Sequence, residues 1–255
     1  MKIVLHPKCE TTKEELLIKI DNFDKEGVVC GDGRRNIIKV MDLKERKINI
    51  KSFQIPRLPN RLIYYFFRKS KAQRSFEYAD HLLKNDIGTP HPFAYIEKYS
   101  AVGLHESFYI SEHLQTELTF RELVTIPDYP DHENILRQFT AFCFKLHQKG
   151  IEFLDHSPGN TLIKKLSDDK YGFFLVDLNR MKFHSAMTLE QRMHNLQRLT
   201  YKEEMIAVMS DEYAKLSGSD YNVIFGMLNG FTINFHKKLQ RKKRIKAKLR
   251  FWLKK

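Results

Sequence analysis

Apolar positions recur along this chain in two periods. Over residues 71–87 they keep helical spacing, with Ala72, Phe76, Ala79 and Leu83 on one stripe and Gly88 and Pro90 closing the segment. Asp131 stands where it caps a second helix over residues 131–149, with Ile135, Phe139, Phe142 and Leu146 on its buried face and Gly150 as its stop. His147, near the end of that helix, reads as a partner of the local dipole and not as a base. Beyond Arg180, LEQRMHNLQRL turns Leu189, Met193 and Leu196 toward a core, and YNVIFGMLNGFTINF is a further apolar helical segment.

Strand-like runs fill the intervals. IIKVMDL and KINIKSF, joined by the polar KER, read as neighbouring strands, as do PFAYIEKY and ESFYISEHL around a turn at residues 101–105. In KINIKSF, Lys47, Asn49 and Lys51 share one face and Ile48, Ile50 and Ser52 the other. Residues 151–154 are a short β-prone run ending in DHSPGN, residues 161–163 resume a strand, and residues 171–176 form a stronger one that stops at Asp177. Residues 14–20 are amphipathic or β-prone.

A chain of 255 residues with 42% apolar residues can bury a large core. Cys9, Cys30 and Cys143 lack paired or metal-ligand spacing and read as reduced packing residues. No basic start leads into a long apolar run, and no window of about 18 apolar residues occurs, so the expectation is an intracellular chain without signal peptide or spanning helix. The net charge of +13 is concentrated at one end: residues 236–255 hold eleven Lys or Arg and no Asp or Glu. There Ile245, Leu249, Trp252 and Leu253 recur at helical spacing among the cations, the pattern of a helix lying on an anionic bilayer. Each cation near such a surface contributes about 1 kcal/mol. Nucleic acid is disfavoured, because the body carries neither interleaved aromatics nor a binding motif.

The candidate chemistry sits at strand ends. Asp155 and Asn160 are five apart, and Pro158 and Gly159 bend the chain between them so that a carboxylate and an amide face one site. Asp177 adds a second carboxylate where a strand gives way to a loop. Phosphoryl transfer uses this set, one carboxylate orienting and deprotonating the attacking hydroxyl while an amide oxygen and a second carboxylate hold Mg²⁺ against the phosphates. Alone, D-x4-N is a common turn; followed by a β-hairpin and a strand ending in Asp it is far more specific. GDGRRN, residues 31–36, reads either as a plain hairpin turn or as a phosphate-covering loop that lacks the third glycine of G-x-G-x-x-G.

The DHSPGN loop, the hairpin and the terminal aspartate resemble the catalytic and metal-binding loops of the protein-kinase-like superfamily. FEYADHLLKNDIGTPHP, FLDHSPGNTLI and LVDLNRM together resemble the bacterial lipopolysaccharide core kinases, the Kdo and heptose kinase group. The resemblance implies an α+β, bilobal protein-kinase-like fold: a small antiparallel β N-lobe with one main helix over residues 1–112, a mostly helical C-lobe over 113–235 and a basic tail over 236–255. It also implies ATP and Mg²⁺ as cofactors, and a γ-phosphoryl transfer to a sugar hydroxyl of the lipopolysaccharide inner core. Asp155 takes the base role, Asn160 and Asp177 the metal, and Lys51 the clamp on the α- and β-phosphates, with Glu77 holding Lys51. Gly31 and Gly33 would cover the phosphates, and Glu112, His113 and Leu114 lie where the backbone hinge meets adenine. The implied partners are the lipid A-linked core saccharide and, through residues 236–255, the anionic cytoplasmic face of the inner membrane.

Departures from protein kinases narrow the acceptor. Phe153 and Leu154 stand where those enzymes carry His-Arg, Ser157 where they carry a lysine, Leu178-Asn179 replaces Phe-Gly, and no A-P-E segment follows. DHSPGN is closer to the D-x-x-P-G-N of antibiotic and choline-type kinases, which favours a small-molecule or glycolipid acceptor. A kinase of another small molecule or protein, and an inactive pseudokinase scaffold, are the alternatives.

Overall fold

The computed structural model describes residues 1–31, 36–55, 63–64 and 67–252. The chain divides into two compact units, Met1–Gln115 with Phe174–Arg180, and Thr116–Phe173 with Met181–Lys255.

The first unit is built on a six-stranded antiparallel sheet in the order β1-β5-β6-β4-β3-β2. Its strands are β1 (Lys2–Leu5), β2 (Val28–Cys30), β3 (Asn36–Leu43), β4 (Arg46–Phe53), β5 (Pro92–Ser100) and β6 (Gly103–Glu112). Strand alternation decides which face each residue takes. Ile48 and Ile50 of β4 are fully buried with Leu16 and Ile20 of α1 (Lys13–Asp21), which covers one face. The helical alternative for residues 14–20 is therefore the one adopted, and a Thr12/Glu15 capping box starts it. Lys39, also buried, donates from Nζ to the carbonyls of Phe23, Asp24 and Glu26, satisfying chain just beyond the end of α1. On the other face α2 (Lys71–Lys84), capped by Ser70, buries Ala72, Phe76, Ala79 and Leu82. Leu82, not Leu83, completes that stripe. Phe76 packs 5.3 Å from the ring of Tyr95, and Tyr95 stands in register with Tyr109 and Lys51. Strand β1, which no clear alternation announces, extends the sheet along β5.

The segment Phe174–Arg180 belongs to this unit through backbone pairing. Leu175 N–H donates to the Gly88 carbonyl at 2.9 Å, and Thr89 Oγ1 donates to the Leu175 carbonyl at 2.8 Å.

The second unit is mainly helical. It contains α3 (Phe120–Thr125), α4 (His132–Gln148), α5 (Leu189–Leu196), α6 (Glu203–Ser217) and α7 (Tyr221–Trp252). Its core joins Ile135, Phe139 and Cys143 of α4 to Met193, Leu196, Ile206, Tyr213, Ile224 and Leu228. Two small sheets complete it, one of β10 (Lys170–Leu175), β9 (Thr161–Ser167) and β7 (Leu118–Thr119), the other of β11 (Met181–Phe183) and β8 (Ile151–Phe153). Asp131 occupies the N-cap position of α4 but in the left-handed region (φ 60°) and makes no side-chain cap; its carboxylate accepts from Asn134 instead. Of the cysteines, Cys143 is a core residue, Cys9 is half-buried, and Cys30 is exposed on β2, so packing explains only the first two.

α7 is one continuous helix across residue 236. Its first half is anchored by Ile224, Leu228 and Thr232, and every residue from Lys237 to Leu249 is exposed. No described helix is long and apolar enough to cross a membrane.

Gly150 terminates α4 at φ 67° and turns the chain into β8. A Cβ there would collide with the backbone carbonyl of His184, whose N–H donates to Gly150 at 2.8 Å. Neither side of that contact is a flexible side chain. Gly150→Ala is expected to lower unfolding stability by on the order of 2–4 kcal/mol, combining left-handed strain with the clash, read as a shift in denaturant midpoint.

Candidate active site

Each unit carries one cluster of the chemistry-bearing residues. In the first, Lys51 is 8% exposed, and its Nζ donates to Asp177 Oδ1 at 2.6 Å while lying 5.3 Å from the Phe53 ring centre. An ammonium taken out of water needs a charged partner, and Asp177 supplies it. Asp177 reaches this position with φ 60°, the left-handed turn that ends the strand. Asn179 Nδ2 donates to the same oxygen at 2.6 Å, so Oδ2 is the oxygen without a partner among the described residues.

Further cations surround this pair. Lys71, the first residue of α2, is held below the usual lysine range by burial and then by Arg180, Arg74 and Lys51, with Asp177 opposing. Burial and Arg68 likewise lower Arg74. The Asp177 carboxylate thus sits in a field of Lys51, Lys71, Arg74 and Arg180 that suits a polyanion.

Glu77 does not hold Lys51. Its carboxylate accepts from Lys69 Nζ at 2.7 Å and from Gln73 Nε2 at 2.9 Å, and Lys51 is paired with Asp177. The helix stripe places Glu77 beside the buried residues, but a nearer lysine and an i−4 glutamine satisfy it locally. At the expected hinge, the N–H of Glu112 donates to the His91 carbonyl and that of His113 to the Lys47 carbonyl, so both are used within the unit. Leu114 N–H has no such bond among the described residues. Gly31 has φ 91° with nothing within 4 Å of a notional Cβ, so conformation and not crowding favours glycine there; Gly33 lies outside the described residues.

The second cluster is the loop after β8. Pro158–Asn160 forms a single 3-10 turn, and Asn160 Nδ2 donates to the Asp155 carbonyl at 2.8 Å, which closes the loop and leaves Asn160 Oδ1 as an acceptor. The five-residue spacing thus brings Asp155 and Asn160 together as expected. The Asp155 carboxylate accepts from Arg198 Nη1 at 2.7 Å through Oδ1. Asn195, one turn earlier on α5, donates to the Phe153 carbonyl at 2.8 Å and accepts from His147 Nε2 at 3.2 Å, while Tyr213 O–H donates to His147 Nδ1 at 2.9 Å. His147 is therefore a fully buried neutral link between α4, α5, α6 and the loop, and not a helix-end partner of the dipole. His156 is buried between Phe139 and Phe153 with neither ring nitrogen hydrogen-bonded.

Residues 31–220 match the family model described as the lipopolysaccharide kinase (Kdo/WaaP) family. The chain belongs to that family. No curated protein matches it. Among solved structures it is similar to one described as "WaaP in complex with acyl carrier protein", with TM-score 0.63 and 15% identity, covering 94% of this chain and 99% of that one. That likeness concerns the fold, a mixed helix and sheet kinase fold of the kind the sequence implied.

Asp177 Oδ2 in the first unit and Asn160 Oδ1 in the second are each left open by the hydrogen bonds their neighbouring atoms make, and both are oxygen donors of the type Mg²⁺ prefers. No group of three or more His, Cys, Asp or Glu able to hold a metal occurs among the described residues. Sequence reasoning did not find Lys71, Arg180, Asn195 or Arg198. Arg180 lies inside the quoted LVDLNRM stretch and was within reach, whereas Arg198 lies 43 residues past Asp155 with no spacing to mark it.

Burial pushes His147 down from 6.5 to about 3 and His156 from 6.5 to about 4. The unfolded chain therefore takes up these protons first, so stability is complete above pH 6.5 and declines as pH falls toward 4 and then 3. At pH 5 the loss is about 2 kcal/mol per histidine, in a window above the carboxylate titrations. Urea unfolding at pH 7 and pH 5 is expected to show it; a midpoint that does not move over that interval would contradict neutral burial of the pair.

Proposed function

We propose that this lipopolysaccharide kinase family member transfers the γ-phosphoryl group of ATP to a sugar hydroxyl, Kdo or heptose, of the inner core. The observation that carries the reading is the Lys51–Asp177 ion pair, a buried cation held against a carboxylate whose second oxygen has no partner among the described residues. When bound, Mg²⁺ neutralises developing phosphate charge. Asp177 and Asn160 hold the metal, and Lys51, with Lys71 and Arg180 nearby, draws the α- and β-phosphates. Asp155 accepts the acceptor hydroxyl's proton, and the Leu114 backbone offers the hinge N–H to adenine.

The exposed cationic half of α7 supports a peripheral site of action on an anionic membrane surface, where a lipid A-linked acceptor resides. The structural neighbour is described with acyl carrier protein, and such a carrier is a second candidate partner for the same basic helix.

Purified protein with Mg²⁺ is expected to consume ATP faster when rough lipopolysaccharide or Kdo-lipid A is added. Asp155→Asn keeps the hydrogen bond from Arg198 and is expected to lower stimulated turnover by about 100-fold or more. Turnover that survives in that variant would overturn the base assignment. Deletion of residues 237–255 removes no buried side chain among those described, so it should leave the unfolding midpoint in place and abolish sedimentation with anionic vesicles. Retained sedimentation would remove the membrane role. Loss of carrier-protein binding with vesicle binding retained would favour the second partner.

A further inference from the structure

Arg198 stands in the turn after α5, and no sequence pattern assigns it a role. Its Nη1 donates to Asp155 Oδ1 at 2.7 Å and to the Leu154 carbonyl at 3.2 Å. The guanidinium plane lies 5.6 Å from the Phe235 ring centre, and the turn is fixed by Leu196, Asn195 and Leu199, all buried. Its position is thus set from three directions. Nη1 is used, while Nε and Nη2 carry further N–H donors on a side chain one third exposed. Among the described residues Asp155 has one carboxylate oxygen taken by Arg198 and the other open.

The loop itself brings no cation. Its segment DHSPGN has Ser157 at the place where protein kinases carry a lysine, and Pro158, Gly159 and Asn160 follow. Two arginines from outside the loop reach it: the Arg121 guanidinium packs against Gly159, while Arg198 is the one that donates to the Asp155 carboxylate, where a cation offsets repulsion between the base and a γ-phosphate.

We propose that Arg198 replaces that lysine: it fixes Asp155 Oδ1 so that Oδ2 meets the acceptor hydroxyl, and its free N–H edge binds the γ-phosphoryl oxygens. In the step itself the hydroxyl proton passes to Asp155 Oδ2, the acceptor oxygen bonds to the γ-phosphorus, and the bond to the β,γ-bridging oxygen breaks with its electron pair leaving on ADP. Arg198 holds the three equatorial oxygens' charge throughout. This inference rests on the kinase reading above.

The test needs no saccharide. Calorimetry with Mg²⁺ compares a non-hydrolysable ATP analogue with ADP, two ligands that differ in the γ-phosphoryl group. Wild-type protein is expected to prefer the analogue; Arg198→Ala should weaken the analogue about tenfold and leave ADP unchanged, as expected for loss of a charge-assisted contact. Arg198→Met, which keeps an apolar stem over Phe235, reads the same difference should the alanine variant fail to fold. Adding Ser157→Lys to either variant is expected to restore the preference, which a purely structural role for Arg198 would not produce. Equal weakening of both nucleotides, unchanged discrimination, or no rescue by Ser157→Lys would overturn the inference while leaving the kinase reading intact. A wild-type chain that binds neither nucleotide would remove both.

Discussion

A lysine ammonium in the interior of a sheet face is tolerated only beside an opposite charge, and the first unit is arranged to provide one. Lys51 is placed by strand register, opposite Tyr109, on the face that does not carry Ile48 and Ile50. Its partner comes from far along the chain, 126 residues later, so the segment Phe174–Arg180 has to be anchored independently. Backbone bonds to Gly88 and the Thr89 hydroxyl do this, and the left-handed turn at Asp177 swings the carboxylate back to the ammonium. Removing either charge would strand the other in a partly dry site, at a cost larger than the pair's net contribution to stability.

The second unit meets a comparable demand with side-chain hydrogen-bond donors. The Phe153 carbonyl is buried and accepts from Asn195, while the exposed Leu154 carbonyl accepts from Arg198 just beyond the end of α5. His147 extends the chain of bonds to Tyr213 on α6, so the loop carrying Asp155 is referenced to three helices at once. A buried hydrogen-bonded network of this kind rigidifies its members, which is the property the proposed role of Asp155 as base requires.

Much of this was legible because it is periodic or local. The stripes of α2 and α4, the strands β3 to β6 and the Asp155–Asn160 turn each follow from spacing within one element. What escaped depends on partners that sequence does not bring near one another. The side chain of Glu77 had the position expected of a lysine clamp, yet Lys69 and Gln73 are closer in chain and captured it. His147 looked like a helix-end residue because nothing local says that Tyr213 and Asn195 close over it. Asp131 had the residue type of a cap, but its left-handed backbone turns the carboxylate toward Asn134. Strand β1 is only four residues long and gains its identity from β5 alone.

The choice of Asp177 over Glu77 by Lys51 follows from electrostatics as much as from reach. Lys71, Arg74 and Arg180 raise the positive potential around Lys51, and burial has already lowered the charge preference of Lys71. A carboxylate placed among all of these cations stabilises several at once, whereas Glu77 beside Lys69 answers one exposed lysine. Asp177 is in turn held by Asn179 and Lys51 through a single oxygen, so the remaining excess of positive charge and the remaining oxygen are left for a ligand that brings both anions and a cation. The metal-bound nucleotide of the proposed kinase reaction has that composition.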